Sequence, residues 1–114
     1  MENNNIIDVN EVDFETKVLE ESSNRLVVVD FWAPWCGPCK ALGPVLTQVA
    51  GERDILIAKV DTDSNPMNAG RLGVRGIPAM FLYNNGKLVG QKSGAMPKAA
   101  VLQWVDEHMT AEDF

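Results

Sequence analysis

The sequence predicts an α/β fold in which one mixed β-sheet carries helices on both faces. In the first half of the chain, strand-like runs alternate with helix-like segments, an order that requires parallel strands. In the second half, two strand-like runs surround Asn85-Gly86, the strongest short-range signal for an antiparallel hairpin. Parallel and antiparallel pairing within one sheet make it a mixed sheet.

The size and composition fit a single domain that spans residues 1–114. Hydrophobic residues make up 46% of the chain and charged residues 23%, which argues against disorder. The net charge of -6 disfavours nucleic acid and anionic membranes as partners, because both require a positive face. No run approaches the about 18 apolar residues of a membrane span, and no secretory leader pattern is present. We expect a cytoplasmic monomer whose ends, residues 1–5 and 110–114, are frayed.

The first half of the chain begins with a short apolar strand over residues 6–9. Asn10 can cap a helix that extends to about residue 20. Residues 26–32 form a nearly continuous, valine-rich apolar run, which is typical of a strand covered on both faces. Apolar residues at helical spacing predict the next helix over residues 36–49.

The remaining elements complete the sheet and its helices. They are a buried strand over 55–60, a helix over 66–72, strands over 79–83 and 87–91, and a last helix over 97–109. Pro66 suits the first helical position and Gly73 the position after the last one, which bounds the third helix.

The chain has two cysteines, Cys36 and Cys39, and they lie three positions apart at a strand-to-helix junction. At a helix amino terminus, unpaired N–H groups and the helix dipole favour a thiolate, so Cys36 is the predicted nucleophile. Cys39 lies one turn further along the same face, within reach of Cys36, and is the predicted resolving thiol. Pro38 is tolerated because the first helical turn has no use for its missing N–H. We expect Cys36 to be exposed and Cys39 to be shielded.

Three other interpretations of the cysteine pair are weaker. A structural disulfide is rare in the cytosol, and one that closes so small a loop stabilises little. Half of a zinc site needs two more ligands, yet His108 is the only histidine and lies far along the chain. Two inert, buried cysteines do not need a helix start between a tryptophan and a Gly-Pro pair.

Asp30 interrupts the apolar run of the second strand. Strand alternation places it on one face with Val28 and Trp32, in the layer beneath the second helix. Burial of a lone carboxylate is unfavourable, so we expect its pKa to be raised and its proton to be available to Cys39. The alternative is an acid at a strand end that reaches water. Lys59 is either its partner or a side chain that extends to the surface.

Taken together, these residues resemble the thioredoxin family. Trp35-Cys36-Gly37-Pro38-Cys39-Lys40, preceded by Phe31-Trp32-Ala33, is similar to the complete active-site signature of that family. Further positions match in order and spacing: Asp30, Lys59, Gly76-Ile77-Pro78, Asn85-Gly86 and Gly94-Ala95. The resemblance covers residues 6–109. It implies a central five-stranded sheet flanked by four helices.

The resemblance also implies a function, protein-disulfide reduction through dithiol–disulfide exchange. Its redox group is the Cys36–Cys39 disulfide, with no bound cofactor and no metal, and thioredoxin reductase with NADPH recharges it. Targets dock on an apolar surface formed by Trp35, Ile77, Pro78, Gly94 and Ala95, with Pro78 in the cis form and facing the cysteines. We expect Trp32 to pack beneath the loop and Trp35 to be more exposed.

One feature bears on the direction of this chemistry, and two positions depart from the family's pattern without touching it. Gly37-Pro38 lies between the cysteines, where oxidising relatives place a histidine, so we expect a reductant. Ala79 follows Pro78 where many relatives carry threonine, and Gly43 precedes Pro44 inside the second helix.

Overall fold

Five strands form one sheet, in the order β1-β3-β2-β4-β5, in a computed structural model that describes residues 5–111. The strands are β1 (Ile6–Asp8), β2 (Leu26–Trp32), β3 (Ile55–Asp61), β4 (Ala79–Asn84) and β5 (Lys87–Ser93). β3 pairs parallel with both β1 and β2, whereas β4 pairs antiparallel with β2 and β5. The predicted mixed sheet is confirmed.

Four helices flank this sheet, as expected. They are α1, which combines a π-helical segment (Glu15–Glu20) with a 3₁₀ turn (Glu21–Ser23), α2 (Gly37–Glu52), α3 (Pro66–Arg71) and α4 (Lys98–Ala111). Within residues 5–111, none of the helices is long and apolar enough to cross a membrane.

Helix α1 differs from the regular helix predicted over residues 10–20. Its carboxyl end is held by the hairpin between β4 and β5: the Ser22 hydroxyl accepts a hydrogen bond from the Gly86 N–H at 2.7 Å. The Ser22 carbonyl also accepts from the Asn85 N–H at 2.8 Å. These long-range bonds form where the helix changes to a 3₁₀ turn, and tertiary contacts of this kind override local propensity.

The core lies on both faces of β2, as its apolar run predicts. Val27, Val29 and Phe31 pack on one face with Phe14 and Val18 of the α1 region. On the other face, Leu26 and Val28 share a buried cluster with residues of α2 and α4, namely Leu42, Leu46, Val101, Trp104 and Val105. Because α2 is anchored on this second face, its amino terminus is fixed at the carboxyl end of β2.

The expectation of frayed ends concerns mostly residues outside the described range, namely 1–4 and 112–114. Asn5 belongs to the folded domain, since its carbonyl accepts from the Ile57 N–H at 2.7 Å and its side-chain amide donates to the Ala50 carbonyl at 3.2 Å. Helix α4 continues to Ala111.

Candidate active site

Cys36 occupies the N-cap position of α2, as its place at the strand-to-helix junction predicts. Its backbone is extended, with φ -87° and ψ 109°, and its Sγ accepts a hydrogen bond from the Cys39 N–H at 3.2 Å. Gly37 and Pro38 form the exposed first turn. The geometry therefore directs unpaired N–H groups and the positive end of the helix dipole at this sulfur.

Cys36 and Cys39 are joined by a disulfide, with their Cα atoms 5.3 Å apart. Cys36 is 3% exposed and Cys39 is 4% exposed, so the expectation of an exposed Cys36 beside a shielded Cys39 is wrong for this oxidised form. The reason is that Cys36 and Cys39 form a small buried cluster with Ala33, and Trp32 and Ile77 pack against this cluster. The Ile77 carbonyl oxygen lies 3.8 Å from the Cys36 Sγ.

A groove of about 300 Å³ opens beside Ile77, on the Cys36 side of the disulfide. Trp35 lines it together with Thr62 from the loop after β3, Ala69 from α3, and residues of the segment after α3: Val74, Arg75, Gly76 and Ile77. Trp35 is 69% exposed, and its Nε1 donates a hydrogen bond to Asp63 Oδ1 at 3.2 Å. The expected exposure of Trp35 is confirmed, and the groove provides a largely apolar surface next to a reactive sulfur.

The loop after β5 lies next to the Ile77–Pro78 segment. The Ile77–Pro78 peptide bond is cis, as the resemblance implies, and Pro78 is buried. The Gly94 N–H donates to the Pro78 carbonyl at 2.8 Å, with Gly94 at φ +86°, a conformation that favours glycine. Ala95 follows as an exposed residue. The structure therefore brings Gly94 directly to Pro78, and Ile77 links Pro78 to the disulfide.

Asp30 lies in the middle of the sheet and is 1% exposed. Its Oδ1 has no hydrogen-bond partner, and burial raises the pKa of this carboxyl to about 6, against an opposing attraction from Lys59. The prediction of a buried carboxyl group with a raised pKa is confirmed, and the alternative of an acid that reaches water is wrong.

Lys59 is the neighbour of Asp30 across the parallel β2–β3 pairing. Its Nζ lies 4.9 Å from the centre of the Trp32 ring, within the range of a cation–π contact. It lines a cleft of about 610 Å³ on the Cys39 side, together with Lys40 and Gly43. Both interpretations of Lys59 are therefore partly right: its charge acts on Asp30, and its ammonium group lies at an open cleft.

Asp63 is the site residue that our sequence analysis did not identify. It lies 28 positions from Trp35, and no local pattern connects the two. One signal was present in the predicted topology, because loops that follow neighbouring parallel strands meet at the same edge of a sheet. The loop after β3, which holds Asp63, therefore lies beside the loop after β2, which holds Trp35.

These features define a class of site. The site combines a Cys-x-x-Cys disulfide at a helix amino terminus with a groove on one side and a buried, titratable carboxyl group nearby. This combination is suited to thiol–disulfide exchange. Within residues 5–111, the cysteines have no third His, Cys, Asp or Glu side chain placed to share a metal ion with them.

Comparison with known proteins identifies the family within this class. The thioredoxin family model matches residues 5–107. Thioredoxin of Chlorobaculum thiosulfatiphilum is 46% identical over 98 residues, which cover 84% of this chain and 89% of that protein. Thioredoxin of Haemophilus influenzae is 38% identical over 106 residues, covering 91% and 97%, and thioredoxin of Mycobacterium bovis is 48% identical over 99 residues, covering 85% and 84%. The chain belongs to the thioredoxin family and is a thiol–disulfide oxidoreductase.

Proposed function

We propose that this protein reduces disulfide bonds in other proteins, with Cys36 as the nucleophile and Cys39 as the resolving thiol. The observation that carries the proposal is the N-cap position of Cys36, where its sulfur accepts the Cys39 N–H beside an open groove. In the reduced protein, this position stabilises the Cys36 thiolate relative to the thiol.

The exchange proceeds in two balanced steps. The Cys36 thiolate attacks one sulfur of the target disulfide, forming a mixed disulfide, and the other target sulfur leaves as a thiolate. Cys39 then loses its proton and attacks the Cys36 sulfur. The Cys36–Cys39 disulfide forms, the bond between Cys36 and the target breaks, and the target leaves with two reduced thiols.

Asp30 is the proposed acceptor of the Cys39 proton. It follows Val28 by two residues on β2, and Val28 packs against the α2 residues Leu42 and Leu46, so Asp30 lies on the face that α2 covers. A carboxyl group with a pKa of about 6 can accept and release a proton near neutral pH. The positive charge of Lys59 favours the ionised form that performs this step.

The groove is the proposed binding surface for an extended target segment. Trp35 and Ile77 line it, Pro78 follows Ile77 and accepts a hydrogen bond from Gly94, and Ala95 adds an exposed apolar residue. We propose that the Ile77 backbone pairs with the target chain by strand addition. Thioredoxin reductase with NADPH is the proposed source of electrons, and the cytoplasm, where targets are kept reduced, is the proposed location of this monomeric carrier.

The test is the reduction of insulin by dithiothreitol, followed by the turbidity of the released B chain. We expect the wild-type protein to accelerate precipitation and Cys36→Ser to abolish the acceleration, because the attacking sulfur is gone. Lys87→Gln is the control, since Lys87 is exposed at the hairpin, away from α2. Full activity of Cys36→Ser would exclude Cys36 as the nucleophile.

A further inference from the structure

The loop between β3 and α3, residues 62–65, contributes Thr62 to the lining of the groove and is held at two points. The inner anchor is Thr62, whose N–H and hydroxyl both donate to the Trp32 carbonyl, at 2.8 and 3.1 Å. The outer anchor is Glu11, which is 54 and 56 positions distant in sequence from its partners Asn65 and Met67.

Glu11 holds the loop through both its backbone and its side chain. Its carboxylate Oε2 accepts from the Met67 N–H at 2.5 Å, and its own N–H donates to Asn65 Oδ1 at 3.2 Å. A hydrogen bond to an ionised carboxylate is stronger than one between neutral groups. Met67 is in the first turn of α3, where the backbone N–H has no partner within the helix.

A continuous set of hydrogen bonds leads from this anchor to Trp35. The Asn65 N–H donates to the Asp61 carbonyl at 2.8 Å, and the Asp63 N–H donates to Asp61 Oδ1 at 2.9 Å. Asp63 in turn accepts the Trp35 indole N–H at 3.2 Å. The position of the Asp63 carboxylate therefore depends on a loop that Glu11 ties to the rest of the domain.

The position of the Trp35 side chain depends on its hydrogen bond to Asp63. It is 69% exposed, so packing restrains it little, and ordering an exposed side chain before binding has an entropic cost. Asp63 is exposed as well, and it is restrained through the loop backbone. A loop fixed at both ends keeps the groove wall in its binding geometry, which lowers the cost of ordering when a target docks.

We propose that Glu11 is a positioning residue for target binding: it clamps the β3–α3 loop so that Asp63 holds Trp35 at the groove. The proposal rests on the proposed function, because it concerns how a target protein is bound. Glu11 acts through the loop and does not contact the disulfide.

The experiment compares three Glu11 variants in the reduced and oxidised protein. Glu11→Ala removes the acceptor, Glu11→Gln retains a carbonyl acceptor of the same length, and Glu11→Asp is too short by one methylene to reach Met67. Ser22→Ala is the matched control, because it removes a comparable long-range side-chain bond, to the Gly86 N–H, at the opposite end of the sheet. The first measurement is the indole N–H resonance of Trp35, assigned with Trp35→Phe.

The second measurement is the rate constant for single-turnover reduction of two disulfides by the reduced protein. Insulin requires the groove, whereas hydroxyethyl disulfide is too small to use it. We expect Glu11→Ala to shift the Trp35 resonance and to slow insulin reduction about fivefold, while hydroxyethyl disulfide changes less than about twofold. Glu11→Gln should restore both values, and Glu11→Asp should behave as Glu11→Ala does, which keeps the test available if Glu11→Ala does not fold.

The proposal is overturned if the Trp35 resonance keeps its wild-type position in Glu11→Asp and Glu11→Ala. Equal slowing of insulin and hydroxyethyl disulfide reduction would also overturn it. So would the same changes in resonance and rate in Ser22→Ala, since either result indicates a general loss of stability. If the wild-type protein reduces neither disulfide, the proposed function fails, and the Trp35 resonance still tests the clamp.

Discussion

Cys36 and Cys39 differ little in burial, yet the two sides of their disulfide differ in almost every other respect. On the Cys36 side, the exposed Trp35 and the carbonyl of Ile77 border a groove. On the Cys39 side, Lys59 lines a separate cleft and Asp30 lies buried in the sheet with its pKa raised to about 6. Exposure therefore does not distinguish the proposed roles of the two sulfurs; the groups around them do.

The difference follows from where each sulfur lies on α2. Cys36 is outside the first turn, at the N-cap, and lies beside Ile77 in the segment that precedes β4. Cys39 is inside the helix, which packs on the sheet face that contains Asp30. One helical turn thus separates the proposed target-binding side from the proposed proton-handling side.

The largest expected effect comes from removing the sulfur on the proton-handling side. Cys39→Ser leaves the nucleophile intact but prevents resolution, so turnover stops and a mixed disulfide between Cys36 and the target accumulates. Mass spectrometry of the non-reduced complex measures it, with Cys36→Ser as the control that forms none. Release of reduced target at the wild-type rate by Cys39→Ser would remove the distinction between the two sides.

Asp30→Asn should alter stability in a pH-dependent way. Because the pKa of Asp30 is about 6 in the folded protein and 3.8 is the ordinary value, the unfolded chain loses this proton first as pH rises. Wild-type stability therefore falls between about pH 4 and pH 6, by about 3 kcal/mol in total. Asn cannot ionise, so the variant should be more stable than wild type by up to that amount at pH 8, and by none of it at pH 3.

Urea unfolding at the two pH values measures this difference. The same variant should slow resolution of the mixed disulfide, since Cys39 loses its proton acceptor. A variant that is less stable than wild type at pH 8 would show that the Asp30 carboxylate is well stabilised in the fold, against its burial and its unpartnered oxygen.

Asp106→Asn provides a comparison at a surface carboxylate. We expect a smaller change in the free energy of unfolding than for Asp30→Asn, and of opposite sign. The Arg53 guanidinium donates two hydrogen bonds to Asp106, at 2.6 and 2.9 Å, and these lower the pKa of that carboxyl. The pair therefore stabilises the fold at pH values above the ordinary pKa of an Asp side chain. This stabilisation is lost as the pH falls through the lowered pKa of Asp106. We expect a slightly lower urea midpoint for Asp106→Asn at pH 7 and equality with wild type at low pH. A stabilised Asp106→Asn would mean that the Asp30 result is not specific to burial.

Much of the fold is predictable from the sequence because its signals are local. The apolar run over residues 26–32 coincides with β2, and the Asn85-Gly86 turn joins β4 and β5 with Asn85 at φ 53° and Gly86 at φ 79°. The N-cap position of Cys36 and the burial of Asp30 also follow from local patterns, periodicity and polarity.

The features that could not be predicted depend on residues distant in sequence. The π-helical segment of α1 ends next to Ser22, which forms a hydrogen bond with the hairpin. The burial of Cys36 depends on Ile77, 41 positions away. The bonds of Asp63 to Trp35 and of Glu11 to Met67 likewise form only when the loops at one edge of the sheet come together. The cis form of Pro78 was expected from family resemblance, since no local signal specifies it.

The most direct test of the account is the order in which the two thiols react. The reduced protein is treated with one equivalent of iodoacetamide at neutral pH, and the labelled cysteine is identified by peptide mapping. Because the helix amino terminus stabilises the Cys36 thiolate, we predict that Cys36 is labelled first even though both residues are nearly equally buried in the disulfide. Labelling of Cys39 before Cys36 would contradict the assignment and reverse the roles of the two sides.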